Sequence, residues 1–442
     1  MNFQTVRGAT THLLGGAKRG FYLKASRSYS AGARSNLGTK ASNAMYGLFG
    51  IVGLGALGFY CSDSRAAVHK YVSTPLLGMF DEEVAHDLSI KALSLGLCPI
   101  DKSIDDKKLE IEIFGKKMSN PIGMAAGYDK NAKVADQLFG LGFGAVEVGS
   151  ITPLPQVGNP KKRLFRLPNS EAIINRMGLN NDGVAVVKER LKARLWRHVT
   201  KTENPEKTAM QAYSEVSRSG KEGRILGINI SKNHSSDHES PADFLVGIKE
   251  LGTLADYLVI NISCPNVKNL GAGSDISIMR DTLKSAREEC NALGAKQPAL
   301  LVKIGPDYSD EELAVISKVA LECRVDGIIT SNTSRSRPAS ISQDHPNCEE
   351  MGGLSGTPIK QLALNTTRKV YKFTEGKIPI IGCGGISTAE DVYEFGKAGA
   401  SFVQVYTAMI YQGPGLVANL KQDLSSLLGD KKWSEIVGSS VE

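Results

Sequence analysis

Residues 225–231, ILGINIS, and 257–263, YLVINIS, are two short apolar runs, each carrying an asparagine at its fifth position and closing on serine. Runs of this length, rich in β-branched residues and bounded by polar ones, read as strands buried on both faces. Outward from this pair, six more share the form: NPIGMAAG (120–127), GAVEVGS (144–150), ALLVKIG (299–305), DGIITSN (326–332), IPIIGCGG (378–385) and SFVQVYTA (401–408). Helical stretches separate them. Continuous apolar strands alternating with helices mean a parallel sheet covered on both faces, and eight such units fit an α/β fold of the (β/α)8 TIM-barrel type. A doubly wound open sheet is the alternative, but no Gly-x-Gly-x-x-Gly turn follows the first strand, which disfavours its dinucleotide version.

The composition is globular: of 442 residues, 41% are hydrophobic, 22% charged and 6% aromatic, which excludes disorder, collagen and coiled coil as the main state. The formal net charge of +7 is unevenly placed. Residues 1–62 carry Arg7, Lys18, Arg19, Lys24, Arg27, Arg34 and Lys40 and no acid, so the remaining bases and acids balance. A neutral body lacks the basic face that phosphate backbones require, and nucleic acid is not expected as a partner. Seven widely spaced cysteines without a Cys-x-x-Cys pair read as reduced thiols. His234 and His238 lie in a polar loop without further ligands, so no metal is expected.

The acid-free first 40 residues, rich in Arg, Ser, Ala and Gly, have the composition of a mitochondrial transit peptide. Residues 41–62 are uncharged and include AMYGLFGIVGLGALGFY, long enough to cross a hydrocarbon core of roughly 30 Å as a transmembrane helix. Glycine-rich apolar sequence is better tolerated in membrane spans than in soluble helices. Residues 63–100 predict two short amphipathic helices, Ala66–Val72 and Asp81–Leu95, separated by Pro75 and Gly78. Such a piece either packs as a plain element or rests in the interface and collects a lipophilic ligand. The barrel is expected over residues 101–442.

Barrel active sites are built from the carboxyl ends of the strands. Those ends supply Lys130, Ser150, Asn229, Asn261, Cys264, Lys303, Ser331, Asn332, Thr333, Gly384, Gly385, Tyr406 and Thr407. The glycine pair and the backbone before Thr407 suit a phosphate held by amide donors. Lys303 sits in an apolar run, where an unpaired ammonium is costly, so it requires an anionic partner or ligand. A flavin fits this need, because a fixed cation favours its reduced, negatively charged form. Asn175, Asn229, Asn261, Asn266 and Asn332 suit a small planar substrate with amide and carboxylate groups. Cys264, beside Pro265, stands where a general base would face that substrate.

These residues resemble the dihydroorotate dehydrogenases, and more closely their membrane-bound, quinone-reducing class 2. The resemblance runs from about residue 64 to the end on NPIGMAAGYDKN, VEVGSITPLPQVGNPKKRLFRLP, INRMGLNNDG, GINISKN, YLVINISCPN, LVKIGPD, SNTSRSRP, GGLSG, PIIGCGGI and VQVYTAM. It implies an FMN site at Ala125, Ala126, Gly127, Ser150, Asn229, Asn261, Lys303, Ser331, Gly356, Gly385, Tyr406 and Thr407. It implies dihydroorotate or orotate at Lys130, Asn175, Arg176, Met177, Gly178, Leu179, Asn261, Asn266, Asn332 and Thr333, with Cys264 as the base. Ubiquinone would enter between the two small helices, near His86, Arg166 and Tyr406. The implied reaction belongs to pyrimidine biosynthesis in the inner mitochondrial membrane, with a single span and the catalytic domain on the intermembrane-space side. Two departures stand out. Class 2 enzymes normally carry serine where this chain has Cys264, and the family's Asn-Arg-Tyr-Gly-Phe motif has Met177 and Leu179 here. Residues 200–224 read as a polar surface insertion. Another FMN barrel and a membrane-tethered, non-enzymatic barrel are the competing readings.

Overall fold

The computed structural model describes residues 32–200, 216–262, 273–341 and 345–441. The chain forms two compact units, Met1–Leu57 and Gly58–Glu442. In the first, the described residues belong to helix α1, Gly32–Cys61, which begins earlier than the expected span. It carries exposed Leu48, Phe49, Ile51, Val52 and Leu54. Among the described residues no helix is long and apolar enough to cross a membrane.

In the second unit, eight parallel strands close into a barrel. In chain order the strands are β1 (Ile111–Ile113), β2 (Lys116–Met118), β3 (Ile122–Met124), β4 (Ala145–Ile151), β5 (Leu164–Leu167), β6 (Ala172–Asn175), β7 (Ile225–Ile230), β8 (Tyr257–Asn261), β9 (Ala299–Ile304), β10 (Gly327–Thr330), β11 (Gly353–Gly356), β12 (Ile380–Cys383) and β13 (Ala400–Val405). The barrel runs β3-β4-β7-β8-β9-β10-β12-β13, and β13 pairs with β3 to close it. Each of its strands coincides with one of the eight apolar runs to within one residue, because residues buried on both faces leave no room for polar alternation. Strands β5, β6 and β11 form a separate antiparallel sheet, and β1 and β2 a hairpin; the sequence reading contains neither.

Helical structure before the barrel differs from expectation in its first half. Instead of one helix over Ala66–Val72, a π-helical turn at His69–Ser73 leads into α2, Thr74–Gly78. Pro75 starts α2 rather than separating the helices, since a proline in the first turn removes an amide that has no helical partner anyway. Helix α3, Glu82–Ser94, follows as predicted, with the Asp81 carboxylate accepting from the Glu83 and Val84 amides at 3.0 and 3.3 Å.

One face of α3 is clamped to β5 and the loop before it. Arg163 donates to both Glu83 oxygens at 3.2 and 2.7 Å, and Lys162 lies 3.2 Å from Glu82. Both Arg163 and Glu83 are buried, which gives the fork its weight. Arg166 donates to the Gly78 and Phe80 carbonyls at 2.9 Å each, fixing the α2–α3 turn. Leu76, Met79, Phe80, Val84 and Leu88 remain exposed. At the opposite end of the barrel, buried Lys421 pairs with Asp101 at 2.5 Å and with Asp105, tying the segment after α3 to the helix Leu416–Leu428.

Candidate active site

The carboxyl ends of β4, β7 and β8 bring three predicted residues into one hydrogen-bonded row. Ser150 Oγ donates to Asn229 Oδ1 at 2.5 Å and accepts from Asn261 Nδ2 at 3.3 Å. The side chain of Lys303, at the end of β9 and 5% exposed, makes no ion pair or hydrogen bond with the described residues. That is an expensive state for an ammonium, and it suits a site completed by an anionic ligand.

Beyond β12, Gly384 and Gly385 take φ of +131° and +73°, and their amides donate to no group among the described residues. A Cβ at Gly385 would fall 2.6 to 2.8 Å from Lys360 atoms, backbone included, so the close approach of two chains excludes any side chain there. Gly356, at φ +100°, is closed in the same way by the Glu171 carbonyl. Thr407 opens a helix, Thr407–Gln412, and its hydroxyl donates to Ser355 at 2.9 Å. Free amides beside a helix start form a cradle for phosphate oxygens. The lysine, the polar row and this cradle together fit a flavin mononucleotide, with Lys303 toward the ring system and the glycine amides toward the phosphate. Ala125 and Gly127 edge the same mouth, their amides donating to Val405 and Gly149 carbonyls at 3.1 and 2.8 Å. Ser331 is held at Cys383 by its amide and hydroxyl, at 2.7 and 3.3 Å.

A second group joins α3 to the mouth. Tyr128 stands edge-on to His86, with centroids 5.4 Å apart, and edge-on to Tyr406, at 5.9 Å. Its hydroxyl meets Ser89 at 3.0 Å. Lys130 Nζ lies 3.5 Å from His86 Nε2. A cavity of about 70 Å³ opens between them, lined by Glu83, Asp87, Ile90, Asn131, Met177 and Asn180 as well. Burial lowers both basic groups, Lys130 to about 8 and His86, with the added repulsion of Lys130, to about 3. Burial pushes the Tyr128 phenol up to about 12 and the Tyr406 phenol up as well, so both rings keep their protons.

The remaining predicted residues divide. Asn175 ends β6, its amide reaching the Gly353 carbonyl at 3.4 Å, and Asn332 and Thr333 lie together after β10. Arg176 turns away, to Glu350 at 2.7 Å and over the Phe165 ring at 4.5 Å. Arg166 lies between α2 and α3, donating to the Gly78 and Phe80 carbonyls, and does not line this cavity. Gly178 and Leu179 present their carbonyls to Gln156 at 3.2 and 3.1 Å. Cys264 and Asn266 lie outside the described residues, as does most of the expected insertion, residues 201–215. The sequence reading missed Tyr128 and the interior trio Glu147, Tyr257 and Gln404. A carboxylate and an amide inside apolar strands, GAVEVGS and SFVQVY, were the available signal.

A closed parallel barrel with a charged, amide-lined mouth at its carboxyl end has the architecture of a (β/α)8-barrel enzyme. Residues 108–428 match the family model for dihydroorotate dehydrogenase, and the chain belongs to that family. Dihydroorotate dehydrogenase (quinone), mitochondrial, of Oryza sativa subsp. japonica is 45% identical over 83% of this chain and 79% of its own length. The protein of the same name from Mus musculus is 41% identical over 83% and 88%. Dihydroorotate dehydrogenase (quinone) of Rhodospirillum rubrum is 42% identical over 83% and 93%. The crystal structure of DHODH from Eimeria tenella in complex with ferulenol matches with a TM-score of 0.72 and 38% identity, over 81% of this chain and 95% of that one.

Proposed function

We propose that this protein oxidises (S)-dihydroorotate to orotate and passes the electrons through FMN to ubiquinone, in pyrimidine biosynthesis at the inner mitochondrial membrane. The observation that carries this reading is the contact of Tyr128 with both His86 and Tyr406, which sets the helical extension directly against the barrel mouth. An acceptor that enters beside α3 then stands next to the cofactor site without crossing the substrate's position. Relatives named as quinone enzymes support the choice of acceptor.

Bound FMN supplies the two-electron chemistry. Lys303 steadies negative charge on it, the Ser150–Asn229–Asn261 row and Ala125, Ala126 and Gly127 orient it, and Ser331, Gly356, Gly385, Tyr406 and Thr407 hold its remaining polar groups. Lys130, Asn175, Asn266, Asn332 and Thr333 bind the carboxylate and amides of the pyrimidine. Cys264 takes the proton from C5; with an ordinary pKa of about 8.5, a thiol needs less help at this task than a hydroxyl. His86, kept neutral, offers a hydrogen bond to the incoming quinone. Residues 1–40 act as the transit peptide and 41–62 as a single span, with 63–100 facing the membrane and the barrel, 101–442, in the intermembrane space. The exposed apolar side chains of α1 support contact of this segment with an apolar environment.

The test is anaerobic flavin absorbance of the purified protein. Dihydroorotate is expected to bleach it, and a soluble ubiquinone analogue, but not fumarate or NAD, to restore it. Recovery with fumarate or NAD would assign class 1 chemistry, and no bleaching would refute the substrate. Protection of the barrel from protease in intact mitochondria lacking their outer membrane would refute the orientation.

A further inference from the structure

Beneath the mouth, the barrel encloses a carboxylate with no cationic partner among the described residues. Glu147, on β4 and fully buried, accepts from Asn229 Nδ2 at 2.9 Å, from Gln404 Nε2 at 2.6 Å and from the Tyr257 hydroxyl at 3.4 Å. Gln404 also donates to the Tyr257 oxygen at 3.4 Å, so the phenol proton is left to point at Glu147. Tyr257 reaches this position because Gly227 on β7 lies under its ring: a Cβ there would fall 2.1 Å from it.

A carboxylate can only accept, so Asn229 must turn Nδ2 toward it. The same amide then presents Oδ1 to Ser150, and the Ser150 hydroxyl, its proton committed to Asn229, is left to accept from Asn261. One buried charge thereby gives a single direction to a hydrogen-bond chain that crosses β4, β7 and β8.

We propose that Glu147 is a positioning residue of the cofactor site, setting the direction of the Asn229–Ser150–Asn261 row on which FMN rests. The inference depends on the reading of FMN as cofactor. A neutral amide at position 147 offers a donor as well as an acceptor, so Asn229 gains a second orientation and the row loses its single polarity.

The test uses full-length protein stripped of flavin and titrated with FMN by fluorescence quenching, with the visible spectrum and reduction potential of the reconstituted protein recorded. Glu147→Gln is expected to weaken FMN binding by about tenfold or more and to shift the flavin absorption band. Glu147→Asp, which remains a pure acceptor, is expected to recover part of the loss. Equal affinity and spectrum for Glu147→Gln and wild type overturn the proposal. Where Glu147→Gln does not fold, Glu147→Asp decides: its acceptor is drawn back by one methylene, so weaker FMN binding with a shifted band upholds the proposal, and wild-type affinity and spectrum overturn it. A wild-type protein that takes up no FMN overturns the cofactor reading itself, and the proposal with it.

Discussion

His86 Nε2 stands 3.5 Å from Lys130 Nζ, and neither side chain keeps its ordinary proton affinity. Burial, reinforced by the Lys130 ammonium, takes the imidazole from 6.5 to about 3. Burial takes the lysine from 10.5 to about 8, against the pull of Asp87 and Glu83. At neutral pH the pair is therefore a charged donor facing a neutral ring, and the ring's other nitrogen carries the proton that can reach a ligand.

The histidine should leave a mark on acid stability. Its native pKa lies below its unfolded one, so between about pH 6.5 and 3 the unfolded chain binds more protons. Stability from this group is complete above 6.5 and is lost as pH falls toward 3, at up to ~1.4 kcal/mol per pH unit. Urea unfolding at a series of pH values should show His86→Phe with a shallower acid slope than wild type. Parallel curves would mean that His86 is solvated in the native state.

Lys130 should mark the other limb. If its ammonium holds the substrate carboxylate, kcat/KM for dihydroorotate falls above about pH 8, approaching tenfold per unit, because that profile reports the free enzyme. Asp87→Asn removes one of the charges that hold the proton on, so the limb should move to lower pH. A profile flat to pH 9.5 would assign the carboxylate to another group.

How much of this was legible before the structure depends on what each residue does for the fold. The eight barrel strands stand out because burial on both faces forbids polar alternation, and Lys303 stands out for the same reason, as a cation in such a run. Strands β5, β6 and β11 were hidden: each is only four residues long, β5 and β11 alternate, and β11, GLSG, reads as a turn. Arg176 was misleading because it adjoins Asn175, yet successive side chains leave a strand on opposite faces. The structure gives Asn175 to Gly353 and Arg176 to Glu350. Glu147 was passed over because its partners Asn229, Tyr257 and Gln404 come from three other strands, which only barrel closure brings together.

Lys303 separates stability from binding. An ammonium that is 5% exposed and without an ion pair among the described residues destabilises the flavin-free barrel. Lys303→Met, close in length and apolar, should raise the unfolding free energy of the flavin-free protein by roughly 1–3 kcal/mol. The same change should weaken FMN by about tenfold or more, since the favourable charge is lost with the unfavourable one. Calorimetry of stripped protein and FMN titration read the two effects independently. A drop in stripped-protein stability would show that Lys303 has a structural partner after all.

The Arg163–Glu83 fork should separate the two half-reactions. Arg163→Met leaves Glu83 buried, with Lys161 at 3.5 Å as its remaining ion-pair partner among the described residues. Breaking a buried pair from one side costs about 3 kcal/mol at the low end of its range, and the loss falls on the docking of α3 rather than on the barrel strands. Stopped-flow reduction by dihydroorotate should stay within about twofold of wild type, while reoxidation by the ubiquinone analogue slows by about tenfold or more. The asymmetry follows from position: Glu83 lies on the helix that carries His86 and Ser89, whereas the substrate asparagines sit on the barrel and its antiparallel sheet. Equal slowing of both half-reactions would place the acceptor at the substrate's own mouth and remove α3 from the electron path.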